Sequence, residues 1–283
     1  MSVRAALVAL ALAGCECDPP SPPPITTTAI ETPRAVTLPS TTADLPAATP
    51  ALTITVSASS FTLDNRALVE SWPTTLRDSV ARSRPGADAL YPILHREVDD
   101  ASDTLLVSGL REAIAAMREP ERALASLSSA AGITSVVAIR ADADVHYARI
   151  VAALFAAGMS ALDRPRLVLA SAEGERELRL AERETIDPAP SVALAVRMST
   201  EGLEVRRGEQ RFAPGCASDA TDDAPTIARA SLTPVSITSC LDAIDPHASV
   251  VFSASGSLRY GDVVDVLLSI AAQHALSLAT TLE

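Results

Sequence analysis

The chain contains no lysine. All 23 of its basic residues are arginine, set against 35 acidic residues, and the net charge is −12. So acidic a body argues against nucleic acid as a partner and against adhesion to anionic lipid surfaces. Aromatic residues are scarce too, at 3% of the total, so any core must be built mainly from Ala, Val and Leu. There is no GxGxxG run and no P-loop, which leaves nucleotide chemistry without its phosphate cradle. No Ser stands in a Gly-x-Ser-x-Gly elbow, and the four His (His95, His146, His247, His274) are widely scattered along the chain. The four Cys include no CxxC pair, the spacing of a zinc knuckle or a dithiol redox motif. With no catalytic set in view, the expectation is a non-catalytic protein without a cofactor or a metal.

Long apolar runs are missing as well. One short run, Ala5 to Ala13, follows the single charge of Arg4 and contains only Ala, Val and Leu. It has the length of a secretory h-region and is too short to span a bilayer. It closes on Leu12-Ala13-Gly14-Cys15, which resembles the lipobox of bacterial lipoproteins. That resemblance implies a signal peptide over 1–14, lipid attachment at Cys15 and contact with a membrane through the lipid. It further implies an exported, periplasm-facing protein held in the cell envelope. An Asp after the lipidated Cys is an inner-membrane retention signal in lipoprotein sorting. Glu16 stands there, which favours the outer membrane. Cys17 is assigned no role.

Residues 15–50 are rich in Pro, Thr, Ser and Ala and include Pro19-Pro20-Ser21-Pro22-Pro23-Pro24. Such a segment reads as a disordered, extended tether. Cys216 and Cys240 lie 24 positions apart in the C-terminal half. In an oxidising compartment they are expected to form a disulfide, worth on the order of 3 kcal/mol for a loop of that size.

The body carries an internal repeat. Val136-Val137-Ala138-Ile139 leads through a polar turn to Tyr147 and an apolar-periodic segment, and Ser249-Val250-Val251-Phe252 leads in the same way to Tyr260. Ile139 to Phe252 and Tyr147 to Tyr260 share one offset of 113 residues. Ile150, Val151, Leu154 and Phe155 sit at helical spacing, as do Val263, Val264, Leu267 and Leu268. Upstream, Thr53 to Ser57 aligns with Ala193 to Arg197, an offset of 140. The first unit then holds about 27 extra residues (140 less 113), placed between Arg82 and Pro120 and read as additional helix around Leu90 to Val98 and Leu105 to Met117. Closing strands are expected at Arg166 to Ala170 and Leu276 to Thr280.

The fold class is therefore α+β: two tandem, small, two-layer modules, each a sheet covered by helices, at 51–172 and 191–283. Glu173 to Pro190, charged and ending in Pro-Ala-Pro, reads as a linker over 173–190, preceded by a short helix or extended strand.

Strand, short acidic turn, Val-x-Tyr, amphipathic helix and final aliphatic strand follow one another from Val137 through Asp142, Asp144, Val145 and Tyr147 to Leu167. This order resembles the periplasmic domain of ExbD/TolR proteins, the small subunits of proton-driven envelope motors. The second unit keeps Tyr260 but has Ser255 and Ser257 where the first has Asp142 and Asp144. The resemblance covers about two thirds of the chain. It implies an α+β module that associates with its own kind, here within one chain as an internal pseudo-dimer, or with peptidoglycan or an envelope protein. The membrane helix with its proton-handling acid, which that family carries, has no counterpart, so motor coupling does not transfer.

One candidate ligand site stands out. Asp142, Asp144 and His146 alternate, and on an extended segment they would point the same way and face one ion or ligand beside Tyr147. The competing reading makes them a solvated turn with Asp144 capping the following helix. The alternative function built on this site is a tethered metal-dependent binding protein or hydrolase. Tyr147 and Tyr260 read as packing residues, rings wedged between helix and sheet with each hydroxyl reaching a polar partner.

Overall fold

The computed structural model describes residues 36–75, 78, 95–100, 104–107, 109–118, 135–181, 193–216 and 224–279. Residues 1–14, read above as a signal peptide, Cys15 and the first part of the expected tether lie outside these residues. The described fold is α+β, with two six-stranded sheets.

In the first module, β1 (Leu52–Val56) and β2 (Ser60–Asp64) form a hairpin, and β3 (His95–Asp99) pairs antiparallel with β2. β4 (Val136–Ala141) lies parallel to β1, and β5 (Arg164–Ser171) parallel to β4. β6 (Gly174–Arg179) turns back antiparallel on β5 and completes the order β3-β2-β1-β4-β5-β6. The helices are α1 (Arg66–Ser71), α2 (Leu110–Met117) and α3 (Tyr147–Met159). β1 alternates buried and half-buried residues, as a strand facing a core on one side does.

The second module repeats the plan. β7 (Leu194–Met198), β8 (Gly202–Arg207), the short β9 (Gln210–Arg211) and β10 (Ile227–Ala228) are followed by β11 (Val250–Ala254) and β12 (Leu276–Leu278). The order is β10-β8-β7-β11-β12, with β9 beside β8. α4 (Pro234–Ile244) and α5 (Tyr260–Ala271) pack together as α2 and α3 do. α4 starts on a local signal: Pro234 follows the cap Thr233, whose Oγ1 accepts from Ser236 N at 3.1 Å while Ser236 Oγ accepts from Thr233 N at 2.9 Å.

Ile139 and Phe252 occupy equivalent strands. Ile139 pairs with Ile54 on one side and Leu167 on the other, Phe252 with Val196 and Leu278. Ile54 thus corresponds to Val196, an offset of 142 and not 140. A slip of two residues keeps every side chain on its own face, so the hydrophobic pattern is blind to it. The hairpin turns agree with the corrected value: Ser57 N donates to Ser60 O, and Ser199 N to Gly202 O. The first module's excess becomes 29 residues (142 less 113).

Three expectations need correction. The excess does not emerge as helix alone: 95–99, expected to be helical, is β3 on the sheet edge, and the second module has counterparts to β3 and α2 in β10 and α4. The linker begins later than 173, because 174–179 is a strand of the first sheet and Leu180 N still bonds Pro165 O; residues 182–192 are outside the description. The tether ends earlier than 50. Residues 36–50 form a strap over the first module, with Ala170 N donating to Pro39 O, Thr41 N to Ala170 O, Glu177 N to Pro46 O and Ala48 N to Glu175 O. Leu38 and Ala48 pack on Ala51, Ala138 and Val168, on the sheet face opposite the helices. Proline-rich composition does not prevent this, because extended backbone is what a sheet edge accepts.

Candidate functional site

The acidic turn of the first module and its serine-bearing counterpart in the second meet. Tyr147 N donates to Leu258 O at 2.8 Å, and Tyr260 N to Val145 O at 2.8 Å. Ala148 N donates to Gly256 O at 3.1 Å, and Gly261 N to Ala143 O at 2.8 Å. Each bond maps onto its counterpart by the offset of 113, and His146 and Arg259 face each other at the centre as an antiparallel bridge. Every helix leaves its first N–H groups without an intrahelical acceptor. Here the first two of α3 are satisfied by the second module's turn, and the first two of α5 by the first module's turn. Side chains do no capping at either end: His146 and Arg259 are the cap residues and make no cap bond.

Close approach leaves room for no more than a small residue. A Cβ at Gly261 would sit 3.2 Å from Ala143 O. Buried apolar residues from both modules join in one continuous cluster.

Tyr147 is buried, as a packing residue should be, but its ring meets the other module. It stands edge-on to Phe252 of β11, centroids 6.3 Å apart at 85°. The hydroxyls of Tyr147 and Tyr260 are buried and find no hydrogen-bond partner, contrary to expectation. Burial pushes both phenols far up, and for Tyr260 the neighbouring Tyr147 adds to it.

Asp142, Asp144 and His146 do not converge. The segment is a turn, closed by Val145 N donating to Asp142 O at 3.1 Å, so the alternation of an extended strand does not apply. Asp142 Oδ1 accepts from Asp144 N within the turn. Asp144 does not cap α3; it pairs with Arg259 of the other module at 3.0 Å, both side chains largely exposed. His146 is exposed. Among the described residues no group of three or more His, Cys, Asp and Glu is placed to hold a metal ion.

Cys216 and Cys240 form a disulfide, with Cα atoms 5.3 Å apart. The bridge fastens the loop after β9 to α4.

Two groups escaped the sequence reading. Arg149, in the first turn of α3, is 2% exposed; its Nε donates to Ser57 O at 2.7 Å and its guanidinium lies 4.4 Å from the centroid of Phe61. Glu177 of β6 is 2% exposed and meets Arg166 at 3.0 Å, Arg179 at 2.8 Å and the N–H and hydroxyl of Thr49 from the strap. Burial alone would raise its pKa; Arg179, the Thr49 N–H and Arg166 outweigh it and hold the carboxyl below its ordinary range.

A cleft of about 730 Å³ opens between strap residues 40–43 and the helices α4 and α5. Arg229, Asp262 and Asp265 line it, with Leu232 and Val266 as apolar wall. Arg229 Nη2 lies 3.3 Å from Asp262. Burial, then the like charge of Asp262, raises the Asp265 carboxyl. Asp262 and Asp265 are three positions apart, on one helix face, which is the signal the sequence offered for this site. A second hollow of about 490 Å³ lies against the disulfide.

No helix among the described residues is long and apolar enough to cross a membrane. Comparison with protein-family models, with curated proteins and with solved structures finds no match for this chain.

Proposed function

We propose that this protein is a non-catalytic lipoprotein of the cell envelope. It is exported, anchored through Cys15 and facing the periplasm, with the outer membrane favoured by Glu16. Its two ExbD/TolR-like modules act in binding or as a scaffold, toward peptidoglycan or another envelope protein. The observation that carries this reading is Leu12-Ala13-Gly14-Cys15 closing a short apolar run after Arg4.

The junction supports the rest. Four reciprocal backbone bonds, all related by one offset, make the chain an internal pseudo-dimer in this reading, a single body in which each module completes the other. A body of that kind suits a scaffold, since its modules hold a fixed spacing. The Cys216–Cys240 disulfide suits an oxidising compartment.

Metabolic labelling with a palmitate analogue tests the anchor: the wild type takes label, Cys15→Ala takes none, and equal label in both removes the lipoprotein reading. Sedimentation of the intact lipoprotein with purified peptidoglycan, beside a pull-down from its own envelope, tests the binding role. Recovery in neither removes it.

A further inference from the structure

We propose that residues 36–50 form a releasable strap: a pull on the N-terminal end of the chain peels them from the first module in one step and leaves the module folded. This goes beyond the lipoprotein reading and takes from it only the source of the pull, a tether fixed at Cys15.

The strap is first in line, so a force carried by the residues before it reaches Thr37 ahead of any strand. Its backbone bonds to the module fall in three separate patches. Ala143 N donates to Thr37 O at 2.9 Å; Ala170 N donates to Pro39 O at 2.9 Å and Thr41 N to Ala170 O at 2.8 Å; Glu177 N donates to Pro46 O at 2.9 Å and Ala48 N to Glu175 O at 3.1 Å. A pull from one end therefore loads the patches in turn, not together. Nine of the fifteen strap residues are exposed, and only Pro39 and Thr41 are buried. β1, which follows the strap, is paired with β2 on one side and β4 on the other, and its Leu52, Ile54 and Val56 are buried. A segment with few buried contacts and exposed backbone bonds opens at far lower cost than a core strand.

The module keeps its core when the strap leaves. Leu38 and Ala48 pack on Ala51, Ala138 and Val168, a cluster apart from the main core, and Leu45 alone of the strap packs on that core. At the last contact before β1, Glu177 Oε2 accepts from Thr49 N at 3.2 Å and from Thr49 Oγ1 at 3.1 Å. Without Thr49, Arg166 at 3.0 Å and Arg179 at 2.8 Å still hold Glu177, so no buried charge is left unpaired. Release frees a contour of roughly 50 Å, at about 3.4 Å for each residue, and the core stays closed.

Optical tweezers would stretch the full-length chain between handles at its two ends. A short first step of a few tens of ångström is expected, at no more than about half the force of the main unfolding step, and it should re-form when the force is relaxed. Leu38→Ala with Thr49→Ala lowers the force of the short step and leaves the main step unchanged. Moving the N-terminal handle to a thiol at Pro50→Cys, in a chain carrying Cys15→Ser and Cys17→Ser, bypasses the strap: the short step vanishes and the main step stays. The proposal is overturned if the body opens in a single step, if the short step follows the main one, if it persists when the pull starts at residue 50, or if the Leu38 and Thr49 substitutions leave its force unchanged. Palmitate labelling tests the anchor separately. Label with no short step removes the strap proposal alone; a short step with no label removes the lipoprotein reading alone.

Discussion

The two modules share a topology and stabilise it by different means. In the first, both faces of the sheet are covered: helices and the continuous core lie on one side, the strap on the other. Its interior admits charge, Arg149 against Ser57 and Phe61, and Glu177 among Arg166, Arg179 and Thr49. In the second, β7 alternates buried and exposed residues, with Ala195 and Arg197 facing out, and no strap covers them among the described residues. At the place of Arg149 stands Asp262, half exposed in the cleft. The second module adds a disulfide and the α4 capping box to buried polar contacts that are uncharged or hydroxyl-based, such as Thr226 bonded to Val205 N and Phe212 O. One fold thus tolerates a buried cation at a helix start when a carbonyl and an aromatic face await it, and a surface acid when they do not.

The sharpest break in this comparison is at Gly202. Its φ is +149°, and a Cβ would lie 2.1 Å from Ile227 O on β10. The equivalent position in the first module holds Ser60, buried without difficulty, its Oγ 3.1 Å from Ser57 Oγ. Gly202→Ala is expected to cost about 3 kcal/mol through strain and overpacking, read from urea denaturation. Ser60→Gly should cost far less. Equal costs would show that the close approach at Gly202 does not set the two hairpins apart.

Replacing both Cys216 and Cys240 by Ala should remove about 3 kcal/mol from the second module. Hydrogen exchange on β8, β10 and α4 should quicken while β4 and β5 hold. Uniform quickening would mean that the shared core unfolds both modules together.

Glu177 gives the first module a pH dependence that the second lacks at that position. Its carboxyl is held below the ordinary range in the folded state, so its contribution is fully present above the unfolded carboxylate pKa and is lost as pH falls through the lowered folded value. Glu177→Gln should cost about 2 kcal/mol at neutral pH and flatten the acid limb of a stability profile measured by thermal melts. An unchanged acid limb would show that Glu177 is not its source.

The smallest expected effect is at the junction. Tyr147→Phe and Tyr260→Phe each remove a buried hydroxyl that has no partner, so stability should stay within about 0.5 kcal/mol of the wild type or rise. A loss of more than 1 kcal/mol in either would mean that the hydroxyl is hydrogen-bonded after all, and that this module's tyrosine does more than pack.

Much of this architecture was legible because apolar periodicity is a side-chain property. Ile150, Val151 and Leu154 had to face a core whatever surrounded them, and so did Val263, Val264 and Leu267. The pairing of Cys216 with Cys240 was legible by chemistry and separation. The candidate site was not. Asp142, Asp144 and His146 gain a common direction only on an extended segment, and the closing bond from Val145 N to Asp142 O makes the segment a turn. The cleft was invisible because residues 40–43 lie some 190 positions before Arg229, and nothing local joins them.

By itself, then, the sequence determined the duplication, the α+β class, the helix stripes and the disulfide, since each is written in side-chain types at short or constant spacing. Tertiary structure alone decided the strap over the first sheet, the extra strand β6, the burial of Arg149 and the reciprocal capping of α3 and α5. These rest mostly on backbone N–H and C=O groups, which every residue but proline carries alike. A helix end satisfied by a distant carbonyl leaves no mark in the amino-acid sequence, because the donor and acceptor are common to nearly all residues and only the fold brings them within hydrogen-bond reach.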